Sequence, residues 1–354
     1  MSNPSHSLLF EKAIAVTPID ATTYSAYLDP MWCIGSVPHG GYTASIMYRT
    51  ATIHSINTMN QEFKSPPEPI SLQISFLRRT AIGAAVLKVE NLKFGGRVST
   101  VHISLLQLPE GATPSTALNE DNGLEVKAMA YVNLSPPEAE SGPCYKGTWG
   151  LQPAPAVGSR PDGSVDLSSL IENQRDGTWV RIPPPSPAMI ASRNLEIYGP
   201  RSVLPAPLET RIKQIAEHWA RFAPDGQVAR WSNEAVMFLV DIFPAGLDRM
   251  AAMESSRLLD QQGLQKKPHD AAATKGPFWF PTVSMNIDLK TRLPPEGVEW
   301  LYSRVVTRML RGGRADLDVV VLDEKGDLVA TSTQVALVVD ASRNMKGREN
   351  KATL

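Results

Sequence analysis

The chemistry most readily seen in this chain lies at residues 233–244, Asn-Glu-Ala-Val-Met-Phe-Leu-Val-Asp-Ile-Phe-Pro. After a polar start the run is apolar except for one acid, Asp241. A helix built from it can face protein on every side, so the carboxylate must find partners or lose its charge. Burial raises a carboxyl pKa and makes the ionised form a better base, so acids are kept in such places most often for work. The plainer reading is a satisfied buried acid beside the break at Pro244. A second group opens an earlier apolar stretch, His39-Gly40-Gly41-Tyr42. His39 has the type for acid–base work or a substrate contact, and equally that of a turn residue ahead of a helix, which is the reading we favour.

The elements that position these residues occur twice. Residues 88–108 and 305–322 are both a β-rich run, a Gly-Gly-Arg turn (Gly95-Gly96-Arg97; Gly312-Gly313-Arg314) and a second alternating run, the pattern of a hairpin. A further strand follows each, at 125–134 and 328–339. Upstream of each hairpin stands one helix. The first runs from His39-Gly40 to about Ile56, with Ile46, Met47, Thr50 and Ile53 at helical spacing. The second starts near Ser232-Asn233, where Ser or Asn can cap free N–H groups, and is expected to continue past Pro244 through 247–255. A strand follows each helix, at 70–78 and 280–289. The simplest way to bury one long helix among antiparallel strands is to wrap the sheet around it. This predicts an α+β fold of two tandem units: residues 1–135, a linker rich in Pro, Gly and Ser at 136–186, a second unit at 187–345, and a polar tail at 346–354. The stretch 260–275 reads as a polar insertion.

Composition narrows the function. Lys+Arg 35 against Asp+Glu 36 leaves no basic excess for phosphate backbones, so no nucleic-acid partner is expected. No apolar run of about 18 residues predicts a membrane span. The N-terminus lacks a secretion signal and the C-terminus a peroxisomal address, which predicts a soluble, cytoplasmic protein. Cys33 and Cys144 lie far apart and read as ordinary thiols.

Several short motifs, in this order and spacing, resemble the double-hotdog acyl-CoA thioesterases of the thioesterase II-like group. They are Val37-Pro38-His39-Gly40-Gly41-Tyr42, Phe76-Leu77-Arg78-Arg79, Phe238-Leu239-Val240-Asp241, Pro281-Thr282 and the run Gly326-Asp327-Leu328-Val329-Ala330-Thr331-Ser332-Thr333-Gln334. The resemblance implies two hotdog units packed as a pseudo-dimer with a site at their interface. It also implies an Asp on the second helix, a Thr on the next strand and a Gln on the last strand as catalytic residues, here Asp241, Thr282 and Gln334. Ser284, Met285 and Asn286 depart from the family pattern after the Thr. Taken alone, Thr282 on a polar strand face and Gln334 among Thr and Ser are ordinary strand residues.

Thioester hydrolysis adds water to a carbonyl and must stabilise an oxyanion. Asp241 would take a proton from the water or orient it, while Thr282 and Gln334 hold it through a hydroxyl and an amide. The start of the first helix, with His39, Gly40, Gly41 and Tyr42, is expected to form the oxyanion and substrate-binding part, its small glycines letting a carbonyl approach backbone N–H groups. Arg78 and Arg97 are candidate phosphate contacts, although strand-end arginines are usually just solvated. No metal or organic cofactor is called for. The first helix carries no acid, and counting from the turn glycines Gly123 and Gly326 puts Tyr131 at the place of Gln334, so one working site is expected. The substrate is an acyl thioester on CoA or a carrier. The alternatives are a hotdog dehydratase, isomerase or cyclase, or a non-catalytic acyl-binding protein. Assembly into homo-oligomers stays open, since hotdog proteins commonly associate through sheet edges or faces.

Overall fold

The computed structural model describes residues 7–59, 63–109, 123–145, 149–184, 189–200, 215–242 and 278–340. The expected helix at 247–255, the polar insertion at 260–275 and the tail at 346–354 lie outside the described residues.

After α1 (Ser7–Ala13), the N-terminal unit contains β1 (Val16–Pro18), β2 (Thr23–Leu28), the short pair β3 (Cys33–Ile34) and β4 (Val37–Pro38), and α2 (Gly40–Thr58). It continues with β5 (Glu68–Phe76), β6 (Gly83–Lys93), β7 (Ser99–Gln107) and β8 (Glu125–Ser135). Next come α3 (Leu167–Asn173), β9 (Arg175–Asp176), β10 (Trp179–Ile182), β11 (Leu195–Pro200) and β12 (Ile215–Phe222). The C-terminal unit is completed by α4 (Asn233–Leu239), β13 (Phe278–Trp279), β14 (Thr282–Leu289), β15 (Trp300–Arg311), β16 (Arg314–Leu322), β17 (Leu328–Leu337) and β18 (Val339–Asp340).

Fourteen strands form one continuous antiparallel sheet in the order β1-β2-β6-β7-β8-β5-β14-β17-β16-β15-β12-β11-β10-β9. The two units meet in the middle of it, where β5 pairs with β14 through Gln73↔Asn286 and Leu72↔Ile287. Both predicted hairpins are present, turning at Gly95–Gly96 and at Gly312–Gly313; the latter two glycines have φ of 58° and 73°, the left-handed region that favours glycine. Alternate residues of the central strands point inward onto the helices. In β8 they are Ala128, Ala130, Val132 and Leu134, and in β17 they are Ala330, Ser332, Gln334 and Ala336. The two tandem units expected from the repeat are present, in the double-hotdog arrangement that the resemblance implied.

α4 and most of α2 are buried. Ala235 to Leu239 are all buried, and α2 is sealed from Gly41 to Tyr48. Polar residues of α2 survive there by bonding carbonyls one turn back, as Ser45 does to Gly41 and Thr50 to Ile46. The helices run antiparallel against each other: Gly41 abuts Met237 and Phe238, and the Ser45 hydroxyl donates to the Glu234 carbonyl at 2.8 Å. Among the described residues no helix is long and apolar enough to cross a membrane.

Two sequence expectations change. The segment read as a linker does more than wrap, because its second half supplies α3, β9 and β10, which extend the sheet. Val165, Leu170 and Trp179 from it close a separate hydrophobic cluster with Tyr198, Trp300, Tyr302 and Leu322. Burying such side chains is worth about 1.5–3 kcal/mol each, enough to order a Pro-rich segment locally. The second change concerns Asp241, which sits in the turn just beyond α4 rather than within the helix.

Candidate functional site

Asp241 is 5% exposed. Two donors hold its carboxylate. The Gly41 backbone N–H donates to Oδ2 at 2.7 Å, and the Thr282 hydroxyl donates to Oδ1 at 3.0 Å. The first bond joins the two units, since Gly41 opens α2 and Asp241 ends the α4 segment. Only glycine permits it. A Cβ at Gly41 would lie 2.6 Å from the Met237 carbonyl and 2.9 Å from the Asp241 Cβ, and one at Gly40 would lie 2.6 Å from Asp241 Oδ2. Burial pushes the Asp241 carboxyl pKa up, against the pull of His39, the Thr282 hydroxyl and the Gly41 N–H.

His39 is the N-cap of α2, as the turn reading requires, and it also lies on the acid. Its Nδ1 accepts from the Gly41 N–H at 3.2 Å and is 3.6 Å from Asp241 Oδ2. Burial pushes the imidazole pKa down, opposed by Asp241, so the ring is held towards its neutral form. Phe238 packs edge-on against it at 5.0 Å between ring centroids.

Gln334 approaches the acid from β17 without touching it. Its amide nitrogen donates to the Val240 carbonyl at 2.7 Å, with Ser332 Oγ and the Met285 sulfur each at 3.3 Å. The carboxamide oxygen is buried with no hydrogen-bond partner. A sealed, unpaired acceptor carries a desolvation cost that a water or substrate donor would remove. Val240, Ser332 and Met285, which orient this amide, were not singled out in the sequence; the i, i+2 spacing of Ser332 and Gln334 along one strand face is the only signal that could have found one of them.

The other candidates lie elsewhere or serve the fold. The Tyr42 hydroxyl donates to the Ala13 carbonyl at 2.6 Å and accepts from the Asp29 N–H, while its ring stacks on Trp32. Arg78 pairs with Glu125 at 2.8 Å and donates to the Val126 carbonyl, and Arg97 donates to the Ser141 carbonyl. All three are therefore engaged within the protein. The glycine count that placed Tyr131 opposite Gln334 is off by one. Leu77 and Arg78 both donate to the Lys127 carbonyl, as Lys290 and Thr291 both do to the Val329 carbonyl, which makes Lys127 the counterpart of Val329. The counterpart of Gln334 is then Val132, and that of Thr282 is Pro69. Register supports this, since Leu72↔Val132 matches Met285↔Gln334 and Pro69↔Leu134 matches Thr282↔Ala336, with a bulge after both Pro69 and Thr282. One residue of slip turns a side chain to the opposite face, and Tyr131 points outward, 50% exposed.

Comparison with known proteins gives the family and the fold. Residues 28–132 match the acyl-CoA thioesterase N-terminal domain, and residues 161–338 match the acyl-CoA thioesterase C-terminal domain, which takes in α3, β9 and β10. The thioesterase-like protein TwmA of Talaromyces wortmannii is 30% identical over 365 aligned residues, spanning 98% of this chain and 97% of that protein. Among solved structures, a hotdog-fold protein of unknown function from Alicyclobacillus acidocaldarius matches with a TM-score of 0.62 at 16% identity, over 96% of this chain and 99% of its own. A putative thioesterase II from Thermobifida fusca matches with a TM-score of 0.61 at 20% identity, over 93% and 98%. At those identities the structures speak for the fold alone. With both domains of one family in tandem and a full-length relative, the chain belongs to the acyl-CoA thioesterase family of double-hotdog proteins.

Proposed function

We propose that this protein hydrolyses an acyl thioester carried by CoA or by an acyl carrier, with Asp241 as the base and Thr282 and Gln334 as its helpers. The observation that carries the reading is a buried carboxylate held by a backbone N–H and a hydroxyl, together with an unpartnered carboxamide oxygen on Gln334, whose nitrogen bonds the carbonyl of Val240, the residue before Asp241. A water between them would give one O–H to Asp241 and the other to Gln334, leaving a lone pair for the thioester carbon. The Thr282 hydroxyl, spent on Oδ1, fixes the direction of the carboxylate.

The water oxygen bonds to the carbonyl carbon while Asp241 takes its proton. The tetrahedral intermediate then collapses, the C–S bond breaks, and the thiolate recovers that proton from Asp241. The products are a carboxylic acid and a free thiol. The raised pKa of Asp241 suits both halves of this exchange, because a stronger base takes the proton more readily and its conjugate acid still yields it to a thiolate.

The test is a panel of acyl-CoA and acyl-pantetheine thioesters in oxygen-18 water, followed by a thiol reporter and mass spectrometry. Hydrolysis predicts stoichiometric thiol and one labelled oxygen in the acid. Loss of water from the acyl group, or rearrangement with the thioester intact, would overturn it.

A further inference from the structure

An arginine stands three residues past the end of both central strands, Arg79 after β5 and Arg292 after β14. The two are counterparts. Leu77 and Arg78 share the Lys127 carbonyl as Lys290 and Thr291 share that of Val329, and the same offset pairs Glu68 with Pro281 and Pro66 with Trp279. Arg292 is neutralised where it stands, by Glu68 at 2.8 Å and by Glu140, and it donates to the Ser135 carbonyl. Arg79 keeps the position and the charge among different neighbours. Pro281 replaces the acid, the guanidinium donates to the Ser36 hydroxyl at 3.3 Å, and it lies over the Trp279 indole, 5.5 Å from the ring centre.

Those neighbours belong to the segments that build the candidate site. Ser36 lies three residues before His39, and Trp279 three before Thr282. Arg79 lies three after Phe76, whose ring tip is 3.3 Å from where a Gly40 Cβ would stand. The three segments that meet around the Asp241 carboxylate therefore meet a second time around Arg79. Asp241 is buried and Arg79, Ser36 and Trp279 are half-buried, so the second meeting place is the outer one. Three residues of extended chain span about 10 Å, which suits a contact to a group further along the substrate than the acyl carbon.

We propose that Arg79, backed by Trp279, binds the phosphate of the phosphopantetheine arm, the group that CoA and an acyl carrier share. This deepens the hydrolase reading and rests on it. Two amide units separate that phosphate from the thioester sulfur, so its anchor belongs outside the reacting centre. A guanidinium carries five N–H donors in one plane, which lets it serve the protein and an anion together, and its fork matches phosphate oxygens. The indole beneath it favours the cation and keeps the plane in place. The same arginine position thus ties the chain together at the Tyr48 end and meets the substrate's charge at the Asp241 end.

Two ligands and two variants test this. The ligands are an acyl-pantetheine thioether and its 4′-phosphate, neither of which can be hydrolysed, and calorimetry measures their binding. In the parent the phosphate should tighten binding about tenfold, the usual gain from a hydrogen bond to a charged group. Arg79→Gln should erase that preference. Arg79→Lys should keep most of it, since an ammonium still meets a phosphate as a point charge. No preference in the parent, or a preference that survives in Arg79→Gln, overturns the assignment; so does its complete loss in an Arg79→Lys variant that still binds the unphosphorylated thioether. Thiol release from the matching thioester separates the two claims. If the preference depends on Arg79 but no thiol appears, the hydrolase reading falls and the phosphate contact stands. If thiol appears without any preference, only the phosphate contact falls.

Discussion

The two helices cross at two related places, and only one of them carries a buried carboxylate held by two donors. Asp241 lies nine residues past the α4 cap Ser232, and Tyr48 lies nine past the α2 cap His39. The strand counterparts are Thr282 and Pro69, and Gln334 and Val132. The geometry is retained while the functional groups are not. Asp241 accepts from the Thr282 hydroxyl, whereas the Tyr48 hydroxyl sits 3.4 Å from the Pro69 carbonyl. Burial first of all, with Glu234 and Glu68 nearby, pushes the Tyr48 pKa well above its ordinary value, so its phenol stays neutral. The second residue past each cap differs too. Gly41 admits a carboxylate to its N–H, while Glu234 turns its own carboxylate to Arg49 at 3.1 Å. The Tyr48 end is further closed by Arg292, which ties Glu68 to Glu140 and to the Ser135 carbonyl. A duplicated fold thus keeps two equivalent places, and a few substitutions make one of them structural.

That contrast can be broken or sharpened by substitution at matched positions. The largest effect is expected for Asp241→Asn, which should cut kcat for thiol release by about 10²–10⁴-fold, the usual range for loss of a general base. Tyr48→Phe, its counterpart, should leave kcat unchanged; equal losses in both variants would erase the distinction between the ends. Thr282→Val removes a hydrogen bond to a charged group, worth about 1.5–3 kcal/mol, and should slow turnover roughly 10- to 100-fold without unfolding the protein. Gly41→Ala forces a methyl against Met237 and Asp241 and should cost about 1–3 kcal/mol in thermal or urea denaturation. Glu234→Ala at the matched position loses a partly exposed ion pair and should cost about 1 kcal/mol or less.

The smallest expected effect concerns stability alone. The folded-state pKa of Asp241 is raised, so its contribution to stability is complete below the ordinary aspartate value and is lost as pH rises through the folded value. Asp241→Asn should therefore melt at the same temperature as the parent, or higher, near neutral pH, and any advantage should vanish in strong acid. A variant that is less stable at neutral pH would mean that the charge supports the fold rather than the chemistry.

How much of this could be read from the chain depends on the kind of signal. The repeat was legible because the Gly-Gly-Arg turns and alternating runs are local. Asp241 was legible because one charge in an apolar run is a local anomaly. Thr282 and Gln334 look like ordinary polar strand residues, and only a resemblance covering their order singled them out. The partner of the Gly41 N–H could not be read, since it comes from a residue 200 positions away. The mismatch at Tyr131 has the same origin, because a single residue between a turn glycine and its strand decides which face a side chain takes. The 136–186 segment looked like linker by composition, yet Trp179, Leu170 and Val165 find burial against strands that follow it in sequence.

The account rests most directly on the ionisation of Asp241, and the pH dependence of kcat/KM for thiol release measures it in the free protein. The predicted profile falls on the acid side with a midpoint above the ordinary aspartate value, and that limb disappears with activity in Asp241→Asn. A parent limb at the ordinary aspartate value, or the same limb persisting in an active Asp241→Asn variant, would contradict it.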